Sequence, residues 1–305
     1  MYPGLLLGFI YSTSLLAGGE SGFNLENVAD GVYVHAGQQL SLLHKDADDI
    51  ANIGFIEGDD CIAVIDTGGS LKIGNEFQET ISTLSDKPIC YVINTHVHFD
   101  HVLGNYAFKD SGAKFVGHAN LPELLISSKD FFLEQYADYL TTDNKLNKEA
   151  LIAPTVTVED TLELDLGNRI ISLKAHPIAH SHTDLSVYDA KSKIIWLSDL
   201  LFIQRLPIID GKLKGWLAVM DSFDSLDIAK AVPGHGPVIS NWPKAKQAQE
   251  RYLTTLMDKT RTKIAEGAFM EEIVGQVESN EDDWLLYEED HKRNVTRAFK
   301  ELEWE

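Results

Sequence analysis

A strand–helix–strand unit constrains the fold of this 305-residue chain more than any other feature. The runs 61–66 (CIAVID) and 90–94 (CYVIN) are almost wholly apolar, which is typical of strands buried on both faces. Between them, residues 70–84 carry Ile and Phe side chains at four-residue spacing, which indicates one apolar face of a helix. Two buried strands joined by a helix usually pair in parallel inside a covered sheet. The sequence therefore predicts an α/β fold.

The rest of the chain alternates between strand patterns and helical patterns. Short strands punctuated by Gly and Asp occupy residues 31–58, and a second series runs from 155 to 199. Residues 121–140 and the chain beyond Trp242 have helical spacing of apolar residues. Helices thus flank both sets of strands, which predicts a four-layered αβ/βα sandwich with a C-terminal helical extension. Neither a Gly-x-Gly-x-x-Gly nor a Walker loop is present, so a Rossmann sheet is not expected.

No repeat, low-complexity tract or Pro/Gly-rich linker divides the chain. We therefore expect residues 21–243 to form one catalytic domain and residues 244–305 to form helices packed on it. Residues 1–20 form a signal-like leader, with no charge before Glu20 and a small-residue end but without a positively charged start. The leader predicts a periplasmic or secreted protein. If it is not a signal, the protein is cytoplasmic.

The charge balance restricts the partners. A net charge of −21, with no Lys/Arg-rich stripe, makes nucleic acid an improbable partner because both would be negative. The apolar N-terminal stretch is too short and interrupted to span a bilayer stably. A small-molecule substrate is the remaining expectation, and the oligomeric state stays open.

The chain has two cysteines, Cys61 and Cys90, each at the start of an apolar run. Two cysteines are too few for a disulfide scaffold, and they do not form a Cys-x-x-Cys pair. We interpret them as two small buried apolar side chains, with a disulfide between them as the less favoured alternative.

The segment Asn94–His101 (NTHVHFDH) carries the chemistry. It follows a buried strand, so its side chains can face a pocket at the strand's end. In an extended stretch His96 and His98 point the same way, and Asp100 and His101 follow as the chain turns. Three imidazoles and a carboxylate this close together are the ligands that zinc takes, and they are hard to explain as packing.

Three later segments supply further ligands, each at a strand end. They are His180 in AHSHTD, Asp199 at the end of KIIWLSD, and His235 in the turn PGHGP. A carboxylate at the end of so apolar a strand would be costly without a cation. The seven candidates divide into two sites. The first comprises His96, His98 and His180, the second comprises Asp100, His101 and His235, and Asp199 bridges them.

The ordered set THVHFDH, AHSHTD, LSD and PGHGP resembles the motif set of the metallo-β-lactamase superfamily. Within it, the run SDLLFIQRLPIIDGKLKGW is similar to the quinoprotein relay system zinc metallohydrolases, over about residues 28–275. That resemblance implies two Zn²⁺ per chain and an association with periplasmic quinoprotein systems. It also implies that Asp66, in IDTGG, orders the segment Asn94–His101 without binding a metal ion itself.

The resemblance narrows the ligand assignment and the activity. β-Lactamases of the common classes lack an Asp at the bridging position, so Asp199 is more typical of thioester and lactone hydrolases. The motif His-Ser/Thr-x-x-Asp selects His180 as the ligand, although His182 competes with it, and leaves Asp184 outside the ligand set.

The expected activity is attack by a metal-bound hydroxide on the carbonyl of a small anionic ester, thioester, lactone or lactam. We assign the catalytic work to Asp100 and Asp199 with Arg205, which lies six residues past Asp199 and is the best candidate for holding a substrate anion. A surface ion pair is the alternative role for Arg205, and Lys212 and Lys214 are weaker anion-binding candidates. Two other functions stay open on the same scaffold: an iron-dependent oxygenase acting on a thiol or persulfide, and a non-catalytic carrier of a quinone cofactor.

Overall fold

A computed structural model of the chain describes residues 23–142, 144–279 and 282–305. The expected leader, residues 1–20, lies outside the described residues. The strands in chain order are β1 Glu26–Ala29, β2 Val32–His35, β3 Ile53–Glu57, β4 Ile62–Ile65, β5 Ile89–Asn94, β6 Lys114–His118, β7 Thr141–Thr142, β8 Lys145–Leu146, β9 Val156–Val158, β10 Thr161–Asp165, β11 Ile170–Ala175, β12 Leu185–Asp189, β13 Ile194–Phe202 and β14 Lys230–His235.

The helices are α1 Leu71–Leu84, α2 Phe99–Val102, α3 Leu121–Ser127, α4 Lys129–Gln135, α5 Leu213–Ser222, α6 Gln247–Ala265, α7 Met270–Ile273 and α8 Tyr287–Leu302. Short 3₁₀ turns lie at Ala47–Asp49, Leu103–Phe108, Phe223–Ser225 and Lys244–Lys246. The predicted helix over 70–84 begins where Ser70 Oγ accepts a hydrogen bond from the Ile73 amide at 3.1 Å, which caps the first turn.

Two large sheets form the body of the protein. The first has the order β1-β2-β3-β4-β5-β6-β9, and the second has the order β10-β11-β12-β13-β14. Strands β4 and β5 pair in parallel, as the strand–helix–strand pattern predicted, and β6 and β9 extend the parallel part. In the second sheet β13 and β14 are also parallel. The segment that follows β5 and the last residue of β14, His235, therefore lie at carboxyl ends of parallel strands.

Three apolar clusters hold the layers together. Side chains from facing sides of both sheets, such as Ile65, Ile93 and Trp196, share the central core. The outer side of the first sheet packs against α1, and the outer side of the second packs against α5, α6 and α8. This order of layers confirms the predicted four-layered sandwich and its C-terminal helical extension.

The helix predicted over 121–140 is wrong in its extent. The chain instead forms α3 and α4, which are separated at Ser128 (φ −95°, ψ 7°), and helical structure ends at Gln135. Leu121, Leu125 and Phe132 are buried on both sides of this break. Their helix-like spacing is therefore kept across two short helices. These side chains form a separate apolar cluster together with Phe99 and Val102.

The interpretation of the cysteines as unpaired buried side chains is also wrong. Cys61 precedes β4, Cys90 lies in β5, and a disulfide joins them across a Cα–Cα distance of 5.8 Å. The pairing follows from the strand order, because Ile62 and Ile89 are partners at the start of this parallel ladder. Among the described residues, no helix is long and apolar enough to cross a membrane.

Candidate metal centre

The seven predicted ligands meet at one end of the two sheets. His96, His98, Asp100 and His101 follow β5 and enter α2, while His180 lies in the loop between β11 and β12. Asp199 was expected at the end of its strand, which is wrong, because β13 continues past it to Phe202; His235 ends β14. All except His98 are buried.

The first ligand group comprises His96, His98, His180 and Asp199. His98 Nδ1 lies 3.1 Å from His96 Nε2 and 3.0 Å from His180 Nε2. Asp199 Oδ2 is 3.3 Å from His180 Nε2 and 3.7 Å from His96 Nε2. Four ligands bound at zinc distances in a tetrahedron lie roughly 3.4 Å apart. The four atoms therefore surround a space of the size that a zinc ion needs.

The second group comprises Asp100, His101 and His235. Asp100 Oδ2 lies 3.5 Å from His101 Nε2 and 3.4 Å from His235 Nε2. The other oxygen of Asp199, Oδ1, faces this group, at 3.1 Å from His101 Nε2 and 3.4 Å from His235 Nε2. Asp199 thus presents one carboxylate oxygen to each group, which is the position of a bridging ligand.

Two buried atoms in the centre point to a cation. His101 Nε2 and Asp199 Oδ1 are shielded from solvent and lie 3.1 Å apart, but their geometry forms no hydrogen bond between them or with any other described group. Buried polar atoms are seldom left unpaired in folded proteins, because their lost hydration is costly. A dication between these atoms would satisfy both, and the residues present fit two zinc ions.

Hydrogen bonds on the side away from the ligand groups fix which ring nitrogen His101, His180 and His235 turn towards the centre. His101 Nδ1 lies 2.8 Å from Asp66 Oδ2, so its Nε2 faces the centre. His180 Nδ1 donates to the Ile208 carbonyl and His235 Nδ1 donates to the Ile50 carbonyl, each at 2.8 Å. Such outer partners orient metal-binding imidazoles and raise their basicity.

Asp66, predicted to order the metal loop, is fully buried and has the left-handed φ of 54°. Its carboxylate also accepts hydrogen bonds from the Thr95 amide at 2.8 Å and from the Thr95 hydroxyl at 2.7 Å. It therefore joins the β4 terminus to the start of the histidine segment. This is the position that the resemblance implied.

Burial and charge separate the histidines. Burial lowers the pKa of His180 to about 3, and burial together with the neighbouring His101 holds the pKa of His96 well below its ordinary value. Both rings are therefore neutral near pH 7, with lone pairs available for a metal. Burial alone would lower the pKa of His101, but the carboxylates of Asp100 and Asp199 raise it well above its ordinary value. These carboxylates make the centre attractive to cations.

Sequence reasoning missed Asp210, which lies in the segment between β13 and α5. Its Oδ2 lies 3.2 Å from His98 Nε2, and its Oδ1 accepts hydrogen bonds from Arg293 at 3.0 Å and from Arg297 at 2.6 Å. The hydrogen bond with His98 and these two guanidinium groups hold the pKa of Asp210 below its ordinary value. Helix α8 therefore contacts the metal centre through one carboxylate.

Asn294 extends this contact between α8 and the same segment. Its side chain accepts from the Ile209 amide at 2.9 Å and donates to the Pro207 carbonyl at 2.7 Å. The segment it holds supplies the Ile208 carbonyl behind His180 and the Asp210 carboxylate behind His98. No local motif marks these residues, because their role depends on a helix more than 80 residues further along the chain.

Arg205 lines a cavity of ≈280 Å³ beside the two ligand groups. Members of these groups, among them Asp100, Asp199 and His235, also line this cavity. The alternative role of Arg205 as a surface ion pair is wrong, because this side chain is 0% exposed. Its Nε and Nη2 atoms have no hydrogen-bond partner. A buried guanidinium with unused donors beside a cation site is equipped to bind an anion.

The remaining candidates lie away from this cavity. Lys212 and Lys214 are exposed, and Lys214 pairs with Glu305. His182 is exposed and outside both ligand groups, whereas His180 lies within the first. Asp184 accepts hydrogen bonds from the Ser181 hydroxyl at 2.6 Å and amide at 2.9 Å, which shapes the His180 loop.

Comparison with known proteins gives a consistent family. The family model of the metallo-beta-lactamase superfamily matches residues 46–235. An acyl-coenzyme A thioesterase of Homo sapiens is 26% identical over 214 residues, which are 61% of this chain and 72% of the thioesterase. A linear primary-alkylsulfatase of a Pseudomonas strain is 21% identical over 227 residues, covering 63% of this chain and 43% of the sulfatase.

Solved structures of low identity share the fold. A sec-alkylsulfatase from Pseudomonas sp. superposes with a TM-score of 0.64 at 17% identity, over 90% of this chain and 49% of the sulfatase. This chain therefore spans about half the length of that enzyme. A metallo-beta-lactamase from Pontibacter korlensis superposes with a TM-score of 0.61 at 17% identity, over 76% of this chain and 98% of the lactamase.

Proposed function

Because this chain belongs to the metallo-β-lactamase superfamily, we propose that it is a zinc-dependent hydrolase of a small anionic ester, thioester, lactone or lactam. Family and relatives make it a metal-dependent hydrolase, and the zinc and the substrate class are the proposal. One observation carries it. Two ligand groups share Asp199 and open into a cavity lined by a buried arginine, Arg205, whose Nε and Nη2 atoms have no hydrogen-bond partner.

Two zinc ions per chain suit the donor set. His96, His98 and His180 would hold one ion, and Asp100, His101 and His235 would hold the other, with Asp199 between them. When bound, the ions would lower the pKa of a water molecule towards neutrality and so supply a nucleophile at physiological pH.

The chain's own side chains supply orientation and charge. Asp100 and Asp199 line the cavity, so either carboxylate can accept a hydrogen bond from an attacking water molecule and turn its lone pair towards the substrate. Arg205 supplies donors for a substrate anion on the same cavity wall. The three groups together favour a reaction in which a negatively charged acyl compound is bound and then attacked at its carbonyl carbon.

A sulfate ester is a second candidate substrate. The likeness to the sec-alkylsulfatase extends over 90% of this chain, against 76% for the lactamase. The unused Arg205 donors suit a sulfate as well as a carboxylate. The thioesterase relative supports the carbonyl substrate, which we keep as the first candidate.

Metal analysis combined with a substrate panel tests the proposal. Protein purified without chelators and reconstituted with zinc should hold about two ions per chain and hydrolyse a member of an ester, thioester, lactone, β-lactam and alkyl-sulfate panel. Activity that requires iron and oxygen would instead support an oxygenase acting on a thiol or persulfide. Tight quinone binding with no hydrolysis of any panel member would support a carrier.

We also propose that the protein is exported to the periplasm or secreted and serves a quinoprotein system. The signal-like leader supports the export, as does the disulfide between Cys61 and Cys90, because disulfides persist mainly in oxidising compartments. For the quinoprotein association the support is the sequence resemblance of the run that follows Asp199. Mass spectrometry of the protein from its native host tests the export. An uncleaved chain recovered from the cytoplasm contradicts it.

A further inference from the structure

A second hollow adjoins the cavity of ≈280 Å³ beside the ligand groups, which we call the metal cavity. It has a volume of ≈250 Å³ and shares His98, Phe99, Phe131, Tyr136 and Asp210 with that cavity. We call it the aromatic recess, and its apolar walls are Val97, Phe99, Leu124, Phe131, Phe132 and Tyr136. The two hollows therefore lie side by side, with the same side chains between them.

Stacked rings build the inner wall. Phe99 and Tyr136 stack with centroids 4.4 Å apart, and Phe131 meets Tyr136 edge-on at 6.2 Å. Burial and the negative charge of Asp100 raise the pKa of Tyr136 to about 12, so this wall stays uncharged. Phe131 is nevertheless 58% exposed, although it lies beside a buried aromatic cluster. An exposed aromatic at the rim of an apolar hollow is typical of a ligand site.

Charge is divided between the two hollows. The metal cavity has Arg205 and Arg293 in its wall, whereas the described residues that line the aromatic recess include no lysine or arginine. The polar groups in the recess are His98, Ser128, Ser181, His182 and Asp210. An anionic group is thus attracted to the metal side by Arg205 and Arg293, whereas the carboxylate of Asp210 lines both hollows and favours neither. The recess suits an uncharged apolar group.

We propose that the aromatic recess binds the hydrocarbon part of the substrate, an acyl chain attached to the carbonyl that is attacked at the metal centre. This inference rests on the proposed hydrolase function and adds a preference for apolar acyl groups of medium length. Each methylene buried in the recess should raise kcat/KM about three- to fourfold until the recess is full.

A chain-length series tests the recess. Thioesters with straight acyl groups of two to ten carbons should show kcat/KM rising with length and then levelling off. Leu124 is only partly buried in the wall, so Leu124→Trp should fill the recess and move the plateau to shorter chains. Phe131→Ala should reduce the gain per methylene. Phe269→Ala removes an aromatic side chain that is 72% exposed and does not line the recess, and it should leave the whole series unchanged.

Binding measurements keep the recess testable apart from catalysis. Calorimetry with straight-chain fatty acid anions should give affinities that rise with length in the zinc-loaded protein, and Leu124→Trp should weaken binding of the longest ones. A flat length dependence in the wild type overturns the recess, and hydrolysis of the acetyl thioester would then leave the proposed function standing. Length-dependent binding without hydrolysis of any panel member keeps the recess and rejects the hydrolase.

Discussion

Asp210→Asn should weaken zinc binding at the group formed by His96, His98 and His180. The Nδ1 atom of His98 faces the ligand group and lies 3.1 Å from His96 Nε2. The Nε2–H group of His98 therefore points at Asp210, and the distance from Nε2 to Asp210 Oδ2 is 3.2 Å. The amide that replaces this carboxylate can still accept a hydrogen bond, but it lacks the negative charge. His98 would then be a less basic ligand, while the overall shape of the site is kept.

The expected size follows from the exposure of the groups. Loss of an outer partner of a metal-binding histidine typically costs 10–100-fold in affinity, which is about 1.4–2.8 kcal/mol. Asp210, Arg293 and Arg297 are 30–43% exposed, so solvent screens the ion pairs between them and each contributes at most about 1 kcal/mol. Arg293→Ala and Arg297→Ala should therefore lower zinc affinity less than Asp210→Asn, since each leaves the charge behind His98 in place.

Competition with a chromophoric chelator measures the two zinc dissociation constants separately. Asp210→Asn should raise one of them 10–100-fold and change the other little, because Asp210 contacts no member of the group Asp100, His101 and His235. Asp227→Asn is the matched control, since Asp227 forms an exposed pair with Lys193 far from the ligands. Unchanged zinc affinity in Asp210→Asn, or an equal loss at both sites, would refute the role of Asp210.

Three further predictions follow from the same geometry. Asp199→Ala should abolish binding of both zinc ions together with activity, whereas Asp184→Asn should retain most of the metal; equal losses measured by elemental analysis would reject Asp199 as a bridge. Arg205→Ala should raise KM by a factor equivalent to about 1–3 kcal/mol for an anionic substrate and little for a neutral analogue, and equal effects would make it structural. Reducing the Cys61–Cys90 disulfide opens a loop of 29 residues and should lower the free energy of unfolding by about 2–4 kcal/mol, measured by urea denaturation with and without reductant.

The layers of the fold could be predicted because they depend on local patterns. Two apolar runs and the helix between them determined the parallel pair β4 and β5, and the structure has that pair. The extent of the helices from residue 121 could not be predicted in the same way. Leu121, Leu125 and Phe132 have the spacing of one continuous helix, yet the break at Ser128 leaves that spacing intact. The aromatic recess depends on this break and was therefore not visible in the sequence.

The ligands were easier to predict than their supports. Histidines and aspartates that follow buried strands stand out against apolar surroundings, whatever the exact contacts. Asp210 and Asn294 look like ordinary polar residues of an acidic chain, since their partners lie 80 or more residues away and meet only after α8 packs on the second sheet. The cysteine pair was within reach of the sequence, because parallel pairing of the two runs already brings Cys61 next to Cys90.

Strained and tightly packed backbone around Asp199 couples the metal centre to folding. All of β13 is buried, and Ser198, directly before the carboxylate, has a left-handed φ of 48°. A Cβ on Gly234 would lie 1.8 Å from Asp199 Oδ1, so β14 passes too close for any larger residue. Strain of this kind persists only where the surroundings offset it. A cation held between Asp199 and His101 would provide a partner for both of these buried atoms, so we expect metal binding to stabilise the central strands.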